Sequence, residues 1–373
     1  MSSDTATNSN PSSSMDVPFP IEIDEQLGER LQPNEANFTT EMSNIIENLV
    51  RTRDQPGHAH RDVHAKATGI LRGKFTIDEN IPPQFAKGIF IPGKTYDCIV
   101  RFSNANGNAE QSDAKSDGRG FAMKLLDVPG PKLLESDKDA KTQDFVMINH
   151  PIFFTNDPKA YLSLFEKSTS SNPIQKITAP LALGLKGAMI AVKLGSGTIG
   201  NPLQIQYYSA VPFQLGVGLD RLAVKYSLKP VSDQKDPIPN HPAEDYLHQA
   251  IKKSVSGQEE MRFRFMVQPR VVAGAGAEQV HGHEMDVEDS MTEWCQKKSP
   301  FQEIATLSFP PQDIDTPEML KLGERLSFNV WHSLAEHKPL GSMNRARKGI
   351  YERVSRIRND MNSVPREEPS TSV

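Results

Sequence analysis

The chain has 373 residues, enough for one large domain or two ordinary ones with a sizeable buried core. A formal charge of −5 and a pI of about 6.1 argue against a nucleic-acid partner on electrostatic grounds. The only cysteines, Cys98 and Cys295, fit no zinc or redox spacing and point to a reducing, cytoplasmic compartment.

Residues 1–36 read as a polar leader without order, because their first eighteen residues are rich in Ser, Asn, Thr and Pro and lack the apolar stretch of a secretory signal. Over 37–53, Met42, Ile45, Ile46 and Leu49 recur at helical spacing. The stretch from His58 to Gly69 follows, with His58, His60, Arg61 and His64 in quick succession. Alternation then predicts strands over 69–77, 95–103, 119–126 and 143–149, with Pro92-Gly93 as a turn and 104–118 as a loop. A helical pattern runs from Asp157 to about residue 195, interrupted at Pro173 and Pro180. Its apolar run, 180–195, is short for a span and carries Lys186 and Lys193, so it reads as a buried or surface-lying helix and not a transmembrane one. Strands resume at 203–211, 222–228, 261–268 and 301–309.

The last helix is predicted over Ser342–Met361, with Ser342 as N-cap. Met343, Arg347, Ile350, Tyr351 and Val354 share its inward face, while Arg345, Lys348, Glu352 and Arg356 mostly lie elsewhere. Residues 363–373 read as a disordered tail. About eight strands joined mostly by turns, with helices segregated from them, predict an α+β fold around an antiparallel eight-stranded barrel, with 37–362 as one domain.

Two groups of residues invite chemistry. Arg347 and Tyr351 lie one turn apart, and a guanidinium beside a phenol favours the phenolate, a hard oxygen donor suited to ferric iron. The competing account is an ordinary amphipathic helix with a tyrosine at its border. His58, His60 and His64 resemble a metal cluster in composition but lack an accompanying carboxylate arrangement. His281 and His283 repeat the motif in a Gly/Glu/Asp-rich loop, where solvent exposure is the plainer account.

Taken together and in order, five stretches resemble the haem catalases. His64-Ala65-Lys66, with Arg61 three residues before, is similar to their distal-histidine motif. Val100-Arg101-Phe102-Ser103 and the run from Asp117 to Lys124 are similar to their second and third signatures. Asp144-Phe145-Val146, Pro151-Ile152-Phe153-Phe154 and Asp157-Pro158 resemble the distal asparagine region, and Arg347-x-x-x-Tyr351 has the proximal spacing. The chain lacks the longer arm and the C-terminal helical domain of large catalases. It therefore looks like a compact catalase-related branch that includes small catalase-like peroxidases and coral-type allene oxide synthases. Phe328–His332 and Glu336–Gly341 resemble that branch ahead of the proximal helix.

The resemblance implies a haem b cofactor with Tyr351 as axial ligand to the iron, supported by Arg347. It implies His64 as the acid/base that moves a proton between the two peroxide oxygens, Ser103 holding its tautomer, and Arg61 and Arg101 pairing with propionates. Val63, Phe154 and Tyr161 would contact the haem; a phenylalanine is usual at the last position. Without gaps the distal asparagine falls on Ile148, so either a local bulge brings Asn149 inward or the pocket is more apolar; Asn149 is expected as the second catalytic residue. Three functions follow. The first is catalase or peroxidase chemistry on hydrogen peroxide or organic peroxides, with an organic electron donor in the peroxidase case. The second is conversion of a lipid hydroperoxide, or a tailoring oxidation in a biosynthetic pathway. The third is non-enzymatic haem binding. Val63 stands where coral-type allene oxide synthases have threonine, which favours the first. No NADPH site is implied, and a homo-oligomer is left open.

Overall fold

The computed structural model describes residues 22–271 and 285–369. The alternating stretches become strands β1 (Ala67–Ile77), β2 (Thr95–Asn104), β3 (Arg119–Leu126), β4 (Thr142–Ile148), β5 (Tyr207–Tyr208), β6 (Phe213–Leu215), β7 (Leu222–Pro230), β8 (Met261–Pro269) and β9 (Gln302–Phe309). They pair in the order β5-β4-β3-β2-β1-β9-β8-β7-β6, and β5 also pairs with β7. That last pairing closes the sheet. One edge of β7 is met first by β5, with Tyr207 opposite Leu228, and then by β6, with Phe213 opposite Val224. The result is a closed, antiparallel, eight-position barrel.

Its interior is solid. Phe75, Phe145, Tyr226 and Phe265 interlock, with ring centroids 5.1 Å apart for Phe75–Phe265 and 5.3 Å for Phe145–Phe265, in edge-on geometry. Phe102 and Phe121 extend this packing at 5.5 Å. Side chains alternate across the wall, so Val100, Met123 and Phe145 face this core while Arg101, Ala122 and Val146 form a row on the other side. That outer face builds the site.

Among the described residues, seven helices accompany the barrel: α1 (Glu35–Arg53), α2 (Pro158–Thr169), α3 (Pro173–Thr178), α4 (Gly184–Gly195), α5 (Tyr246–Val255), α6 (Pro317–Arg325) and α7 (Ser342–Met361). Met42, Ile46 and Val50 of α1 pack against Ala346, Ile350 and Ile357 of α7 in a small core of their own. The apolar stretch 173–195 meets the length and composition of a membrane span. The chain nonetheless breaks within it, through a 3-10 turn at Ala179–Leu183 and Gly184 at φ 68°.

Several expectations need correction. The 203–211 strand shrinks to two residues, because Pro202 opens a 3-10 turn and Ala210 takes φ 61°. Ser342 is the first helical residue and not the N-cap: Gly341 precedes it with no side-chain cap, and carboxylates of Glu29 and Glu288 accept from the Gly341 and Ser342 N–H groups at 2.9 and 2.7 Å. The leader is structured from residue 22 onward, with Glu29 buried. The tail is placed through residue 369, where Glu368 meets Lys124 at 2.7 Å. Arg345 and Lys348, read as lying off the inward face, are buried.

Candidate active site

After α1 the chain turns at Pro56-Gly57, with Gly57 at φ 85°. The loop carrying His64 is then tied down on two sides. Gly57 N–H donates to Met361 O at 2.8 Å, and Asn362 brackets Ala59, accepting from its N–H at 2.7 Å and donating to its carbonyl at 2.9 Å. On the other side, His64 N–H donates to Ala105 O at 3.0 Å and Lys66 pairs with buried Asp113 at 3.0 Å. These ties hold His64 at φ 57°, a left-handed conformation that costs a non-glycine residue about 1 kcal/mol or more.

The His64 ring lies with Nδ1 3.0 Å from Ser103 Oγ. Gly120 stands opposite Ser103 in the β2–β3 register, and a Cβ there would collide with both His64 Nδ1 and Ser103 Oγ. Glycine at 120 is therefore a condition of this hydrogen bond. Burial, then the positive charges of Arg101 and Arg347, push the His64 pKa down to about 4. Its imidazole is neutral through the near-neutral range and able to accept a proton.

From the other end of the chain, α7 presents Ile350, Tyr351, Val354 and Arg358 to the same cavity. Arg347 Nε–H donates to Tyr351 Oη at 3.1 Å, and Asn344 Oδ1 accepts from the same guanidinium at 3.2 Å. Tyr351 is half-buried.

The cavity is open to solvent, spans about 800 Å³ including its mouth, and is lined mainly by apolar atoms, with His64, Ser103, Gly120 and Ala122 on the barrel side and Phe328 and α7 opposite. Three arginines gather at it. Arg61 donates to the carbonyls of Gly323 and Leu326 at 2.9 and 2.7 Å, Arg101 to Ala65 O at 3.0 Å, and Arg358 to Leu326 O and Ser327 Oγ at 3.0 Å. Burial pushes all three below the usual guanidinium range, Arg358 to about 9, and repulsion from Arg61 adds to this at Arg101 and Arg358. The carboxylate acting on them, Glu324, is exposed and lies 4.0 Å from Arg61. Arg101 Nε is buried without a hydrogen-bond partner. Buried like charges with an unsatisfied donor are costly unless an anion joins them. A large flat apolar group carrying two carboxylates, as haem does, fits this slot: aliphatic walls, an arginine trio at one edge, and a phenol oxygen and an imidazole entering it.

Arg61, Val63, His64, Arg101, Ser103 and Tyr351 thus line one cavity. Arg347 reaches it through Tyr351. The remaining candidates do not. Asn149 is a correction: β4 pairs with β3 without a bulge, which puts Ile148 opposite Gly120 on the cavity side. Asn149 is instead committed to Arg119, accepting from its N–H at 2.8 Å. Phe154 and Tyr161 lie outside the lining, in an aromatic cluster with Phe153 and Phe165 at centroid distances of 4.2 to 5.8 Å. Burial, with the nearby Tyr351 and Asp62, pushes the Tyr161 hydroxyl pKa up, so it stays neutral. His58 is exposed and His60 pairs loosely with Asp54 at 3.8 Å, so neither joins His64 in a metal cluster. His281 and His283 lie outside the described residues.

Sequence reasoning missed Asp62 and Arg358. Asp62 lines the cavity, is buried, and has its pKa pushed up to about 6 by burial. Arg358 sits seven residues beyond Tyr351, two turns along the same helix face, and that spacing could have revealed it.

Comparison with known proteins gives a consistent picture. Residues 34–182 match the family model described as Catalase. A catalase-like protein of Staphylococcus aureus is 36% identical over 105 residues, covering 28% of this chain and 20% of that protein. A catalase of Staphylococcus saprophyticus is 34% identical over 118 residues, covering 30% and 21%. The aligned stretch thus spans about a fifth of these relatives' own length. In three dimensions a fungal catalase superposes with a TM-score of 0.65 at 18% identity, over 95% of this chain and 69% of that one. A bacterial catalase gives 0.64 at 17% identity, over 99% and 70%. At such identities these two likenesses concern the fold.

Proposed function

Because this chain belongs to a catalase-related family, we propose that it is a haem-dependent, peroxide-processing oxidoreductase, acting on hydrogen peroxide or an organic peroxide. One observation carries this reading: a neutral, serine-held His64 and an arginine-bonded Tyr351 enter the same apolar cavity, whose edge bears three under-neutralised arginines. Bound haem would supply the iron centre at which a peroxide O–O bond is broken.

The residues divide the work. Tyr351 Oη would offer the oxygen ligand, with the Arg347 guanidinium donating to it at 3.1 Å. Arg61, Arg101 and Arg358 would pair with the two carboxylates of haem, and an anion there would satisfy Arg101 Nε. His64, held with Nδ1 3.0 Å from Ser103 Oγ, would take a proton at Nε2 from one peroxide oxygen and return it to the departing one. Apolar walls from Val146, Ile350 and Val354 keep water sparse around that transfer. Asn149 lies outside the cavity lining, so in this reading proton transfer rests on His64, with Val146 and Met147 adding to the apolar wall.

Haem reconstitution of the purified protein tests this. A tyrosinate-type ferric spectrum with oxygen evolution from hydrogen peroxide is expected. His64→Ala should keep the spectrum while peroxide cleavage falls by roughly 10²–10⁴-fold. Tyr351→Phe should lose or reshape the spectrum. Absence of a Soret band after reconstitution would end the proposal, and full peroxide turnover in His64→Ala would remove His64 from its role. The apolar walls favour a second reading, conversion of a lipid hydroperoxide. Rapid consumption of a fatty-acid hydroperoxide with little oxygen evolution would establish that instead.

A further inference from the structure

The arm formed by α3, the 3-10 turn and α4 carries a surface unlike the rest of the molecule. Ile174, Ile177, Leu181, Leu185, Met189 and Val192 are 59% to 79% exposed and recur every three or four residues. Isolated apolar side chains on a surface need no explanation, but a contiguous row does. The arm is not a loosened piece of core. Ala179, Leu183, Ala188 and Ile190 are buried beneath it, and Lys186 Nζ donates to Thr292 Oγ1 at 3.2 Å. Its apolar row therefore points outward as a fixed feature.

The charge carried by the arm itself has one sign. Lys176, Lys186 and Lys193 are exposed on the arm, and no Asp or Glu occurs between Glu166 and Asp220, although the whole chain is net −5. Lys176 and Lys193 have no ion pair among the described residues. We propose that this arm is a membrane-docking surface that lies in the headgroup–acyl boundary of an anionic bilayer, with the row immersed and the lysines at the phosphates.

Geometry favours lying over crossing. α4 has 12 residues, about 18 Å at 1.5 Å per residue, against an apolar slab of about 30 Å. Gly184 at φ 68° turns the chain just before it. A broken, amphipathic, lysine-bearing arm has the properties of an interfacial element. The lysine stems extend the apolar surface while their ammonium groups reach the headgroups. A second copy of this chain is a poorer occupant, since a two-fold contact would bring the same lysines against each other.

Flotation of the full-length protein with phosphatidylcholine vesicles containing phosphatidylglycerol tests the assignment. The protein should rise with these vesicles and much less with pure phosphatidylcholine, and added salt should weaken binding. Lys176→Gln with Lys193→Gln should lower partitioning about twentyfold. Leu185→Gln, Met189→Gln and Val192→Gln together should abolish it while thermal melting stays unchanged, because these side chains are exposed. Failure to bind anionic vesicles overturns the proposal, as does binding unaffected by either set of substitutions. A concentration-dependent dimer dissolved by the apolar triple substitution, without vesicle binding, would assign the row to a second copy and likewise overturn it.

Discussion

Two residues apart, Asp62 and His64 both face the cavity, and burial moves them in opposite directions. Burial lifts the Asp62 pKa from 3.8 to about 6, with the like charge of Asp54 adding and Arg53 opposing. A carboxyl whose folded pKa is raised penalises the folded state once it ionises, so stability is lost as pH rises through about 6. Asp62→Asn should therefore stabilise the protein above pH 6 by up to about 3 kcal/mol, a gain that vanishes below about pH 4. Chemical denaturation across that pH range would test it; a gain independent of pH would contradict the buried-carboxyl account. For His64 the sign reverses: its depressed pKa gives stability present above 6.5 and lost as pH falls towards 4. His64, Ser103, Arg101 and Tyr351 were legible in sequence because they sit inside ordered motifs. Asp62 and Arg358 were not, since their meaning comes from burial and from neighbours distant in the chain. Asn149 shows the limit from another side, because one residue of strand phase decides whether a side chain meets the cavity or the adjoining strand.

Among the elements, α7 is positioned by charge as well as by its apolar face. Arg345 lies fully inside, with Nη1 2.8 Å from Glu29 and 3.0 Å from Glu288, and Nε 2.7 Å from Glu35. Burial works against its charge, but the hydrogen bonds with Glu35 and Glu288 outweigh it and hold the guanidinium pKa above its usual range. Carboxylates gathered at a helix N-terminus also suit the helix dipole. Arg345→Met removes the guanidinium that pairs with buried Glu35 and Glu288, and leaves Glu29 with Lys338 at 3.3 Å as its remaining ion pair. It should cost about 3–5 kcal/mol in denaturant unfolding and loosen Tyr351 with it. A loss under 1 kcal/mol would show that the network is dispensable. The sequence pattern marked α7 by its length and spacing but could not show that Arg345 turns inward, because its three partners come from residues 29, 35 and 288. α5 and α6 did leave signals, Leu247, Ile251 and Val255 at four-residue steps and Thr316-Pro317 at a helix start. β5 lies inside the longer strand expected over 203–211, but two residues cannot show alternation of their own, so its bounds were not legible.

For the whole molecule, those two residues decide whether the sheet is a barrel or an open sheet. β5 joins β4 by one residue pair, Ile148 with Tyr208, and β7 by two. Hydrogen exchange should find this seam the least protected part of the barrel wall, with β1, β2 and β3 the most. Uniform protection around the barrel would contradict this ranking. The seam adjoins β4, whose Val146 and Met147 line the cavity, whereas Arg101 and Ser103 sit on β2, two strands further in, so local opening there leaves these two in place. The lacing of Ala59 to Asn362 has a consequence in time. Every barrel strand ends before residue 310, so during synthesis the wall can close while the last helix is still absent. Only when α7 docks does α1 gain Ala346, Ile350 and Ile357 beside its packing on α2, the His64 loop gain its Asn362 anchor, and Tyr351 join His64 in the cavity wall. On the proposed function, haem capture would then belong to the final stage of maturation, and a shortage of the cofactor would leave a finished barrel beside an unfilled slot.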